Sequence, residues 1–104
     1  MQSHAFAVMV FSMSLEDVLN SPVALPFPIP AKFANGRPII LQHVSAVANF
    51  LLTTGASAKA AHPALWERAE ACLRAANENP EDRKRGQAAW QSVYNLLSDA
   101  KLLE

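Results

Sequence analysis

The side chains able to do chemistry are few and scattered. His4, His43, His62 and Cys72 are the chain's borderline or soft metal ligands. Zinc sites draw their ligands from short, characteristic spacings, and these four match none of them. A nucleophilic Cys72 working with His43 or His62 would need an electropositive, partly exposed setting. Cys72 instead falls on the apolar stripe of a predicted helix, where a buried structural thiol is the common outcome. The sequence holds no phosphate-cradling glycine loop, no serine elbow and no tight carboxylate pair. No catalytic residue, metal ligand or cofactor site is therefore expected.

One basic run, Arg83-Lys84-Arg85, follows directly on Glu81-Asp82. It has two readings. A phosphate or nucleic acid would contact it near a helix N-terminus. A solvated helix face would instead pair these cations with the neighbouring acids. The acidic first turn repels phosphate, and the stretch Asn77 to Pro80 lacks the glycine often found in a helix-turn-helix. Nine Lys and Arg against nine Asp and Glu give zero net charge. Generic nucleic-acid and anionic-membrane binders carry a basic excess, so neither partner is expected. Zero charge also removes one defence against self-association.

These residues need elements to position them. A chain of 104 residues fits one domain. An apolar share of 51% excludes a disordered chain. A single cysteine excludes an intrachain disulfide and suggests a reducing, cytoplasmic setting. No apolar run approaches the roughly 20 residues of a membrane span. Residues 5–11 (AFAVMVF) lack the basic flank and cleavage site of a signal peptide. Residues 1–13 read as an N-terminal extension or as sequence upstream of a start at Met13. Residues 14–104 read as the domain. Its first element is a short helical turn over 14–21, capped by Ser14 with Asp17 three residues on.

In 22–30 (PVALPFPIP), Val23, Leu25, Phe27 and Ile29 keep the period of a strand. Pro26, Pro28 and Pro30 share the opposite parity. Their missing N–H groups then lie along one edge, which blocks edge-to-edge pairing there. Asn35-Gly36 is a hairpin signal. A two-residue loop would turn Pro30 toward its partner strand. A three-residue loop, Ala34-Asn35-Gly36, with Gly36 left-handed, turns the prolines outward and is the expected one. The strands are expected at about 23–29 and 37–42. The outer edge of 39–42 is left unprotected. It could pair with a second copy or with the segment around residues 5–11.

Three helices are expected after the hairpin, at about 45–54, 63–77 and 80–98. Ser45 is the expected cap of the first, and Gly55 its C-terminal residue. Residues 55–61 (GASAKAA) read as a linker. The second begins at Pro63 and carries the stripe Leu65, Ala69, Cys72, Leu73, Ala76. Trp66 lies one position off that stripe, at the core boundary, where a tryptophan packs or anchors an interface. The third opens at Asn79-Pro80 and buries Ala89, Val93, Leu96, Leu97 and Ala100. Gly86 in its first turns suggests a close crossing or a late start.

The resulting class is α+β, a short antiparallel hairpin packed with three helices. Pro22-Val23, Arg37-Pro38-Ile39-Ile40, Ala48, Phe50-Leu51-Leu52, His62, Ala69, Ala71-Cys72-Leu73 and Ala89-Trp90 follow in an order that resembles domain-of-unknown-function family 982, a family of small bacterial proteins. The resemblance spans roughly residues 22–100. There the second helix carries an Ala-x-x-x-Cys-Leu-like signature and the third an Ala-Phe pair. Thr54-Gly55 replaces an expected tryptophan-proline, Trp90 replaces phenylalanine, and Val93 and Tyr94 stand where small residues are usual. The resemblance implies a compact α+β domain and no activity. The expected function is a non-catalytic interaction or regulatory module that self-associates as a dimer or binds another protein. Its expected surface is Ile39, Leu41 and Trp66. The alternatives are a nucleic-acid-binding regulator using Arg83, Lys84 and Arg85, and, last, a small enzyme or metal protein.

Overall fold

The computed structural model describes residues 15–104. The expected cap at Ser14 and the reading of residues 1–13 lie outside the described residues. The chain runs through a 3-10 turn (Leu15–Val18), strands β1 (Ala24–Lys32) and β2 (Pro38–His43), and helices α1 (Val44–Thr54), α2 (Ala56–Ala61), α3 (Pro63–Glu78) and α4 (Arg83–Asp99). The α+β class with a hairpin and three longer helices is as expected.

The hairpin loop is the three-residue one. Phe33 N–H donates to the Arg37 carbonyl at 2.8 Å, and Gly36 N–H donates to the Phe33 carbonyl at 2.8 Å. Gly36 has φ 89°, a left-handed conformation that suits a residue without Cβ. Asn35 Oδ1 accepts from Arg37 N–H at 3.0 Å and fixes the turn. Ala31 then lies opposite Ile39, and Ile29 opposite Leu41, in hydrogen-bonded positions. Pro30 lies opposite Ile40, and Pro38 opposite Lys32, between them. Neither proline falls where the ladder needs a donor.

Beyond Ile29 the ladder breaks. Ala24 pairs with His43 and Ile29 with Leu41, so β1 takes five steps where β2 takes two. The extra length arches Pro26-Phe27-Pro28 off the ladder. Prolines suit that arch because it asks for no N–H.

The outer edge of β1 is also covered, which the proline pattern alone did not foretell. Lys32 N–H donates to Leu102 O at 2.9 Å, and Glu104 N–H donates to Pro30 O at 3.1 Å. Leu103 thereby bridges Ala31 in antiparallel fashion. Lys32 is the first non-proline of that parity after Pro26, Pro28 and Pro30, so the C-terminal segment pairs where a donor exists. The end of α4 aims it there. Lys101 N–H reaches Ser98 O at 3.1 Å and Leu102 N–H reaches Leu97 O at 2.8 Å. Lys101 sits at φ 61° between them. This is a Schellman motif with lysine in the position usually held by glycine.

The helices correct four details. His43, not Ser45, occupies the N-cap of α1, without a side-chain bond; Ser45 falls inside the helix. Residues 56–61 form α2 rather than a linker, with Lys59 N–H on Gly55 O and His62 N–H on Ala58 O, both at 2.8 Å. Four of its six residues are alanines, the best helix formers. On α3 the buried stripe is Trp66, Ala69, Leu73 and Ala76; Leu65 and Cys72 are only partly buried at its margin. Helix α4 starts at Arg83, three residues later than Pro80, because Asp82 is the cap.

The core closes around Phe50, Leu51, Ile29, Leu41, Leu73, Val93, Leu96 and Leu97. Helix α4 packs on α3 and across β1, while the 3-10 turn packs on α1 and α3. Ala89, Val93, Leu96 and Leu97 are buried on α4 as their spacing predicts, with Ala100 partly buried.

Candidate interaction surface

β2 has a neighbour on one side only among the described residues. Strand parity sorts its side chains. Leu41 is fully buried and Ile39 half-buried, both packed into the core. Pro38, Ile40 and Gln42 are exposed. The backbone of Pro38 and Ile40 faces away from β1. Pro38 has no N–H. The alternation shifts at His43, which pairs with Ala24 while Val44 N–H bonds Val23 O, so the Gln42 carbonyl faces β1. The outer edge thus presents the N–H groups of Ile40 and Gln42 and the carbonyls of Pro38 and Ile40. Ile40 is 50% exposed and lies beside Pro30, so the open edge borders an apolar strip.

The expected surface residues need correction in this light. The backbone of 39–42 forms the open edge, but the side chain available to a partner is Ile40, not Ile39 or Leu41. Trp66 is only 5% exposed and belongs to the core. Its ring lies against Gly55, and Lys59 Nζ of α2 sits 5.8 Å from the ring centre. The helix that a linker reading omits is what roofs it.

Arg83, Lys84 and Arg85 form the first turn of α4 and are exposed. Asp82 Oδ1 accepts from Lys84 N–H at 3.0 Å and from Arg85 N–H at 3.4 Å. Asp82 Oδ2 holds Arg85 Nε at 3.1 Å. Desolvation pushes the Asp82 carboxyl up, but the Arg85 and Lys84 N–H groups and the Arg85 guanidinium outweigh it and hold it below its ordinary value. A carboxylate of the chain itself therefore occupies the place an anion would take at this helix end.

Among the described residues, no group of three or more His, Cys, Asp or Glu could hold a metal ion. His43 ends β2, His62 precedes α3, and Cys72 lies partly buried on α3. No helix among those residues is long and apolar enough to cross a membrane. The larger clefts are open and shallow in chemistry. One of about 420 Å³ runs from Pro26 and Phe27 to Asn79 and Arg83.

An aromatic array beside that cleft went unread in the sequence. Phe27 meets Trp90 edge-on, with centroids 5.9 Å apart, and Trp90 stacks on Tyr94 at 5.0 Å. Phe27 is 57% exposed although it shares the parity of buried Leu25 and Ile29. The signal was present in its two flanking prolines, which carry it onto the arch. Compared with known proteins, the chain matches no family model, no curated protein and no solved structure.

Proposed function

We propose that this protein is a non-catalytic interaction module that self-associates. One observation carries the reading: the two edges of its sheet are treated differently. β1 is closed by prolines and by residues 102–104, whereas β2 leaves two donors and two acceptors facing outward among the described residues. Unpaired strand edges recruit further strands unless they are blocked. Zero net charge opposes such contact least. A cytoplasmic setting and membership of the family it resembles go with this reading; the lone cysteine and the order of apolar motifs support them.

Light scattering of the full chain over a wide concentration range tests the reading. The expected result is a mass rising toward that of two chains. Ile40→Pro removes an outward N–H at a position where the inner ladder uses none, so it should hold the mass at one chain with an unchanged circular dichroism spectrum. One-chain mass for the natural sequence at every concentration would sink the proposal.

A further inference from the structure

We propose that two copies join edge to edge through β2, antiparallel about a two-fold axis that sets Ile40 opposite Ile40 of the second copy. This rests on the self-association reading and specifies its geometry. Residues 38–42 carry no charged side chain, so antiparallel self-pairing sets no like charges face to face. The edge is also self-complementary. With Ile40 at the axis, the two Ile40 residues exchange both of their hydrogen bonds. Gln42 of each copy then faces Pro38 of the other. Its N–H finds the Pro38 carbonyl, and the donor that Pro38 lacks is not needed to satisfy it. Every outward N–H of both edges is paired.

A register centred on Leu41 would need the Gln42 carbonyl for the Ile40 N–H, and that carbonyl faces β1; side chains point the same way. Centring on Leu41 sets polar Gln42 against Ile40 and brings Pro38 opposite Val44, whose N–H is already bonded to Val23 O at 2.9 Å. Centring on Ile40 extends the existing Pro30–Ile40 neighbour pair into one apolar row, Pro30, Ile40, Ile40, Pro30, across four strands. Cross-strand apolar neighbours of this kind stabilise sheets. Ile40, half exposed in one chain, is covered in two.

Cysteine cross-linking reads the register directly. In a Cys72→Ala background, Ile40→Cys should oxidise to a two-chain species on a non-reducing gel, because bonded partners across a ladder lie about 5.5 Å apart at Cα, within disulfide reach. Pro38→Cys and Gln42→Cys should each stay single when oxidised alone and cross-link when mixed. Circular dichroism of each variant establishes folding, and all three sites are exposed. Cross-linking of mixed Ile40→Cys and Gln42→Cys chains instead would overturn the Ile40-centred register. A two-chain mass by light scattering with no cross-link at any of the three positions would overturn edge pairing while leaving self-association standing. A one-chain mass would overturn both, and would point to an edge occupied from within the same chain.

Discussion

The ring of Trp66 fills the space that a side chain on Gly55 would need. A Cβ built on Gly55 would stand 2.6 Å from Trp66 Cζ3 and 2.9 Å from Cη2, and would also strike the Leu51 carbonyl. Gly55 has φ −94°, open to any residue, so close approach and not backbone conformation demands glycine. Gly55→Ala should therefore lower stability by about 1–3 kcal/mol, as overpacked cores do. Trp66→Ala should cost about 3–5 kcal/mol by itself. The double variant should lose less than the sum, since each change relieves the other's clash or cavity. Urea denaturation of the four proteins checks this; strict additivity would refute the coupling.

Gly86 should respond with the opposite sign. A Cβ there would lie 3.9 Å from Pro26 Cδ, an ordinary contact. The helix starts late, at Arg83, and Gly86 lies one turn inside it at no close crossing. Gly86→Ala should raise stability by about 1 kcal/mol through helix propensity alone. A loss in the same urea titration would contradict it.

Asp82 caps α4, and Asp82→Ala should lower stability at neutral pH. Its folded pKa lies below the ordinary aspartate value. The added stability of the ionised cap is therefore complete above the unfolded pKa and is lost as pH falls through the folded value. Asp82→Asn keeps a capping oxygen without the charge. Its stability should change less with pH than the natural protein's across that acid window, measured by thermal melts between about pH 2 and 5.

Lys101 holds a left-handed conformation that costs an L-residue about 1–2 kcal/mol. Lys101→Gly should recover about 1 kcal/mol of it. For a domain of this size that appears as a rise in melting temperature of about 4–8 °C. An unchanged or lower melting point would show that the lysine side chain offsets the backbone cost.

The two sheet edges should differ in amide exchange. Lys32 N–H, bonded to Leu102 O, should exchange slowly in dilute solution, while Ile40 and Gln42 N–H exchange fast. Raising the concentration should slow Ile40 and Gln42 and leave Lys32 unaltered. Equal protection of all three at the lowest concentration would deny the asymmetry.

Much of this fold is written in local pattern. Asn35-Gly36 and the shared parity of Pro26, Pro28 and Pro30 sufficed for the loop and the inner register, because both act within a few residues. The apolar spacing on α4 is equally local. Trp66 was not legible. Two stripes one residue apart compete on α3, and the choice is made by Gly55 and α2, which lie outside that helix. The residues of α2 are too small to show an apolar face, so its helicity was hidden. Two capping signals, Asn79 and Asp82, also compete, and the carboxylate that reaches two N–H groups wins. The pairing of Leu103 with Ala31 spans 72 positions of sequence and leaves no local trace. The open edge was legible as backbone, but its side chain was misassigned from Ile40 to its inward neighbours.

The closed edge of β1 sets a limit as well as a shape. In the language of polymerisation, a unit with two reactive ends propagates and a unit with one terminates. Pro30, Lys32 and residues 102–104 remove one end from every copy of this chain. On the proposed pairing, a second copy joined through β2 would leave only spent ends, and growth along the sheet would stop at that first addition.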